Sequence, residues 1–101
     1  MPATLEIVVP ASVPRGAPFI ATVEVCGANP GHSVMITLEQ KRGTRPLWPM
    51  QSCVGPVDER GHASVSFSMV LSGPGNAVLL ATGSDRAGTF FSPDGECVLV
   101  R

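Results

Sequence analysis

Two histidines, three cysteines and eight carboxylates are the residues of this 101-residue chain from which catalysis or metal binding would have to be built. His32 and His62 each follow a turn glycine directly, Gly31 and Gly61, so each reads as a surface residue beside its turn rather than as a general base. Asp58 and His62 can approach across their own turn, yet no serine sits in the Gly-x-Ser-x-Gly pattern that exposes a nucleophile on a sharp strand-to-helix bend. The expectation is therefore a chain with no catalytic residues. Cys26, Cys53 and Cys97 allow at most one intramolecular disulfide and lie too far apart in sequence for a zinc-knuckle pattern. They read as reduced, partly buried small hydrophobes. Cys26, Cys53, Cys97, His32 and His62 could be pooled from separate strands into a soft site of the kind copper accepts, with a methionine as a weak partner. Nothing in their spacing supports it, and no metal or cofactor is expected. Asp85, Asp94 and Glu96 do not satisfy the twelve-residue calcium-loop rule, and turn capping accounts for the two aspartates.

The remaining candidates belong to binding. Lys41, Arg42 and Arg45 form the one cluster of like charge, and Leu47, Trp48 and Met50 follow as an apolar anchor beside it. Aromatic residues, Met and Arg are enriched where proteins meet, so this segment reads as an interface for an acidic partner. Phe90 and Phe91 are adjacent and in a strand would point to opposite faces. One fills the core and the other needs a cover, which extends the candidate interface to both. Arg45, Trp48 and Gln51 form the alternative, a small aromatic platform for a carbohydrate or other small ligand.

These residues sit on a chain of one-domain length, expected to fold as a single unit over 1–101. It is 44% hydrophobic and 15% charged, with a formal net charge of -1. That composition is too apolar for disorder and lacks the basic surplus from which nucleic-acid affinity is built. No apolar run approaches the roughly 18 residues that span a bilayer, and Met1-Pro2-Ala3-Thr4 does not open like a secretion signal. The expected location is cytoplasmic or virion-associated, with a protein partner or self-association.

The positioning elements are strands. Leu5, Ile7 and Val9 share one face and Pro10 ends their segment, since proline cannot donate to a ladder. Phe19, Ala21, Val23 and Val25 share one face with Thr22 and Glu24 on the other, and Val34, Ile36 and Leu38 alternate with Met35, Thr37 and Glu39. The link between these two segments, Asn29-Pro30-Gly31, has the chemistry of a type II turn. It is either a hairpin or a crossing between sheets. Prolines 46, 49 and 56 restrict the segment around 47–54 to an edge strand or packed loop. Asp58-Glu59-Arg60-Gly61 is a tight turn, followed by the clearest stripe: Ala63, Val65, Phe67 and Met69 inward, Ser64, Ser66 and Ser68 outward. Residues 76–82 read as an apolar, central strand, 89–91 as a short strand and 97–100 as the last. Seven to nine strands at spacings of about 10 residues predict an all-β chain, a sandwich or a small barrel.

Four stretches resemble bacterial immunoglobulin-like modules: Leu5-Glu6-Ile7-Val8-Val9-Pro10, Gly16-x-Pro18-Phe19, Asp58-x-x-Gly61-x-Ala63-x-Val65 and Ser72-Gly73-Pro74-Gly75. With the segments they open, they touch about two thirds of the chain. The resemblance implies an immunoglobulin-like β-sandwich of seven to nine antiparallel strands, a fold used by spacers, adhesins, subunit partners and capsid decorations. The resemblance implies fold only; the low charge and the two-sided apolar strands point to a non-enzymatic structural or accessory protein acting through protein–protein contacts in a larger assembly. Carbohydrate or small-ligand binding is one alternative, and a small β-fold metal protein or enzyme is the other.

Overall fold

A computed structural model describes residues 3–42, 45–73, 75–85, 91 and 93–101, with residues 41, 42 and 45–50 described by their backbone alone. The chain is all-β, and the reason lies in the period of its apolar residues. In strand β6 (Ala63–Val70), buried and exposed residues alternate without a break. Strand β3 (Pro18–Cys26) buries Ala21, Val23 and Val25 and exposes residues between them in part. Strand β4 (Ser33–Arg42) buries Val34, Ile36 and Leu38. A period of two turns every second side chain to the same face, so each strand brings one apolar stripe to a common interior.

Two sheets use those stripes. β1 (Thr4–Val8), β3 and β6 form a three-stranded sheet in the order β1-β3-β6. The other sheet has the order β2-β8-β7-β4-β5, with β2 (Ser12–Val13), β5 (Arg45–Pro56), β7 (Gly75–Asp85) and β8 (Asp94–Val100). All pairs are antiparallel except the short β2–β8 contact. The link after β3 therefore crosses between sheets; it does not close a hairpin. β7 is central, as its apolar composition suggests, and buries Ala77, Leu79 and Ala81. β5 lies at an edge, the position in a sheet where proline is tolerated. Of the short strand expected over 89–91, only Phe91 is described. It stands outside the strands, its N–H donating to the Gly83 carbonyl at 3.0 Å. Its ring belongs to the core and is 5% exposed.

Two contacts tie the sheets together at their sides. β6 has no ladder partner beyond β3, but the Gln51 side chain of β5 donates to the Ser68 carbonyl at 3.1 Å. On the opposite side the Ile7 amide of edge strand β1 donates to Asp94 Oδ2 at 2.9 Å. Asp94, expected to cap its own turn, instead satisfies a backbone donor on the other sheet. Replacing Asp94 by alanine leaves that part-buried donor without its charged acceptor and should cost about 1–2 kcal/mol in urea denaturation.

Close packing leaves one glycine no freedom to grow. A Cβ on Gly83 would lie 2.5 Å from Ile36 Cδ1 and 3.2 Å from both the Met35 carbonyl and Phe91 Cδ2. Ile36 is fully buried and Phe91 nearly so, so neither can yield cheaply. Gly83→Ala should lower stability by about 1–3 kcal/mol, read as a shift in the denaturant midpoint at unchanged slope.

Candidate functional site

Both histidines come to the same end of the molecule, through two links that clasp each other. The first link, 27–32, leaves β3 after Cys26, and the second, 57–62, joins β5 to β6. Four backbone bonds join the links or close the second: Ala28 N–H to the Gly61 carbonyl at 3.0 Å, Val57 N–H to the His32 carbonyl at 3.0 Å, Asp58 N–H to the His62 carbonyl at 2.8 Å, and Gly61 N–H to the Asp58 carbonyl at 3.2 Å. Within the first link, His32 N–H reaches the Asn29 carbonyl at 3.3 Å, and Gly31 has φ 81°. That is the expected type II geometry, with glycine where positive φ is required.

The second link is built around one carboxylate. Asp58 Oδ1 accepts from the amides of Arg60 and His62, each at 2.9 Å. The turn closes through Gly61, whose φ of 77° suits glycine alone and whose Cβ, if present, would lie 2.6 Å from the Ala28 carbonyl oxygen. Glycine there permits both the turn and the clasp. The His62 amide, foremost, holds the Asp58 carboxyl below its ordinary value of 3.8; burial, next in size, works against it, and the Arg60 amide adds to the lowering. A lowered folded-state pKa stabilises the protein above the unfolded value and ceases to do so as pH falls through the folded one. Asp58→Ala should therefore destabilise the protein at neutral pH, and the two proteins should converge in urea midpoint as the pH drops below about 4.

A third element is pinned to the same end. Asp85, at the last position of β7, is the one buried charged residue among those described, at 7% exposure. It accepts from Asn29 Nδ2 at 2.7 Å, which fastens the crossing link to the five-stranded sheet. Two shallow hollows open beside the links. One of about 460 Å³ is lined by Pro30, Gly31, Val57, Asp58, Glu59 and Arg60. The other, of about 440 Å³, is lined by Glu24, Pro56, Asp58, His62, Ala63 and Ser64. In the second, Ser64 Oγ donates to Glu24 Oε1 at 3.0 Å. Asp58 lines both.

The residues singled out from the sequence are placed as follows. His32 and His62 are exposed beside their turns. Cys26 and Cys97 are exposed and Cys53 is half-buried, all three as free thiols; the expectation of partial burial fails for the first two, which stand on the outward faces of their strands. The side chains of Lys41, Arg42, Arg45, Leu47, Trp48 and Met50 lie outside the described residues, as does Phe90. Gln51 is half-buried at the β5–β6 seam. Asp85 and Asp94 are committed to Asn29 and Ile7. Among the described residues no helix is long and apolar enough to cross a membrane.

No protein-family model matches the chain, and no curated protein matches it in sequence. Its structure resembles solved structures of superoxide reductase (neelaredoxin) from Ignicoccus hospitalis. One superposes with a TM-score of 0.71 at 25% identity, over 97% of this chain and 80% of that one. A second gives 0.69 at 24% identity, with the same coverage. This corrects the immunoglobulin-like resemblance drawn from the turns. Turn glycines, prolines at strand ends and alternating stripes are demanded by any small antiparallel fold, so they did not discriminate between families. The expectation of a non-enzymatic structural or accessory subunit, drawn from low charge and two-sided apolar strands, is corrected too: the structural neighbours are enzymes by name.

Superoxide reduction is one-electron oxygen chemistry, carried by a metal or an organic cofactor and not by side chains alone. The donors available here test that requirement. Every His, Cys, Asp and Glu of the chain is among the described residues, and no three of them are grouped so as to hold a metal ion. Nor does any buried side-chain nitrogen or oxygen among them lack a partner and wait for one. As folded, these residues do not fit a preformed metal centre.

Proposed function

We propose that the chain is a small β-fold metal protein or enzyme acting at the pole formed by links 27–32 and 57–62, in the class of one-electron oxygen chemistry. The observation that carries this reading is the structural likeness to superoxide reductase along 97% of the chain. The pole carries His32, His62 and Asp58, but these are not grouped so as to hold a metal ion, so the reading rests on the structural likeness and not on a donor set. Cys26 ends the strand that leads into the same pole. Because the donors are not assembled, no reaction step is assigned to a metal. What the chain supplies is a pair of clasped links with Asp58 anchored between two hollows.

The barrel-like reading of the fold belongs here too. The Gln51–Ser68 and Ile7–Asp94 bonds bridge the sheets on both sides, which favours a small, half-closed barrel over two open layers.

The test is superoxide consumption by protein supplied with iron(II), measured against the same iron without protein and against the His32→Ala/His62→Ala double variant. Metal-dependent consumption above the free ion, reduced roughly tenfold or more in the variant, is the expected result. Consumption no greater than that of free iron, with the protein saturated, sinks the reading.

A further inference from the structure

We propose that the outer face of the β1-β3-β6 sheet docks a polypeptide segment of another protein, one that presents a Lys or Arg side chain about 13 Å from aliphatic ones. The inference is independent of the functional reading above. An apolar row, a pair of opposed carboxylates and a hollow beside that pair carry it.

Alternation along the three strands turns one apolar stripe inward and leaves the other positions on the outer face. Three of those outward positions are aliphatic: Val8, Ile20 and Val70, at 51%, 56% and 54% exposure. Val8 lies opposite Thr22 and Val70 opposite Pro18, so Ile20 is the diagonal neighbour of both. Diagonal neighbours are within side-chain reach, and the three residues make one apolar row across the whole sheet. Scattered exposed aliphatics are ordinary on a protein surface, whereas a contiguous group rimmed by polar residues marks a contact surface. The rim here is hydroxyl-rich, with Thr22 bonded to Ser66 at 3.2 Å.

Toward the other end of the same face, Glu6 stands directly opposite Glu24 in the β1–β3 register. Like charges so placed oppose the pairing, and no Lys or Arg occupies an outward position on these strands. Glu24 also lines the hollow of about 440 Å³ together with Asp58, and Ser64 Oγ steadies its Oε1 at 3.0 Å. Arg60 lines the neighbouring hollow and not this one. A partner cation seated at Glu24 meets Glu6 on one side and Asp58 on the other, and replaces the repulsion by attraction. Glu24 and Ile20 are four positions apart on β3, a separation of about 13 Å. In an extended segment, side chains four positions apart return to one face at the same separation. A Lys or Arg followed at that interval by an aliphatic residue therefore meets the carboxylates and the apolar row at once.

The test uses the whole chain, titrated with the peptide Lys-Ser-Thr-Ser-Ile-Ser-Val, blocked at both ends, while methyl resonances are followed by NMR. The same peptide with glutamate in place of lysine is the control. The methyls of Val8, Ile20 and Val70 should move together with added lysine peptide while those of the buried Leu79 and Val98 stay, and the glutamate peptide should move them far less. Glu24→Gln should weaken binding about two- to fivefold, a deficit that closes at high salt. Ile20→Ser should weaken it at every salt concentration, since the lost contact is apolar. Both side chains point outward, and unchanged buried methyls in each variant check that it folds. An equal response to the two peptides overturns the inference, as does no response at Val8, Ile20 and Val70. Shifts of these methyls on dilution of the protein without any peptide overturn it as well, because a second copy would then be what covers the face.

Discussion

Two sheets share one interior, and each must be closed at sides where its own ladder stops. Strands β1 and β6 flank β3 and have no further ladder partners in their sheet. An unpaired edge beside an apolar interior admits water and invites pairing with other chains. The Gln51 amide and the Asp94 carboxylate meet those edges with single side-chain bonds. Everything inside depends on this closure: the fully buried Ile36, Leu38 and Leu79 of the five-stranded sheet remain dry because the shorter sheet is held over them. The crossing link between β3 and β4 follows from it as well, since a chain that fills both sheets has to pass between them at an end.

The crossing explains why the chemistry of the chain collects where it does. Strand interiors carry apolar stripes on one face; the other mixes exposed hydrophobics such as Ile20, Met35 and Val54 with hydroxyl pairs, Thr22 to Ser66 and Thr37 to Ser52. Imidazoles and turn carboxylates are displaced to the links. Because the links at 27–32 and 57–62 lean on each other, residues distant in sequence become neighbours, with Asp85 fastening the group to a third strand. Loops positioned on a rigid scaffold are where binding and catalysis concentrate, and in this molecule the links at that end are the more rigid for being tied together.

The strands were legible because each carries its own evidence. Leu5 and Ile7, Ala21 through Val25, Val34 through Leu38 and Ala63 through Met69 each announce a buried face by period alone, and the prolines of 46–56 announce an edge. The Asp58–Gly61 turn was equally plain, since aspartate followed three residues later by glycine has few other uses. What was not legible is everything set by contact at long range. Both histidines were seen to follow turn glycines, but nothing local says that these two turns share a hydrogen-bonded clasp. The immunoglobulin-like resemblance failed for a related reason: local turn chemistry records how a strand ends, while sheet order and crossings, which separate one small β-fold from another, are recorded in pairings between distant residues. Phe91 lay between these cases, readable as apolar and adjacent to a second phenylalanine, with its place over Gly83 fixed by a contact no pattern shows.

The exposed thiols carry one consequence for handling and evolution alike. Cys26 ends a strand of the three-stranded sheet, and Cys97 faces outward from the five-stranded sheet. With the core between them they cannot satisfy the short Cβ separation a disulfide demands. Each molecule is thus a bivalent linker under oxidising conditions, and its bonds run outward to other copies. Cross-linking through these two thiols would join folded monomers while leaving the buried core contacts in place.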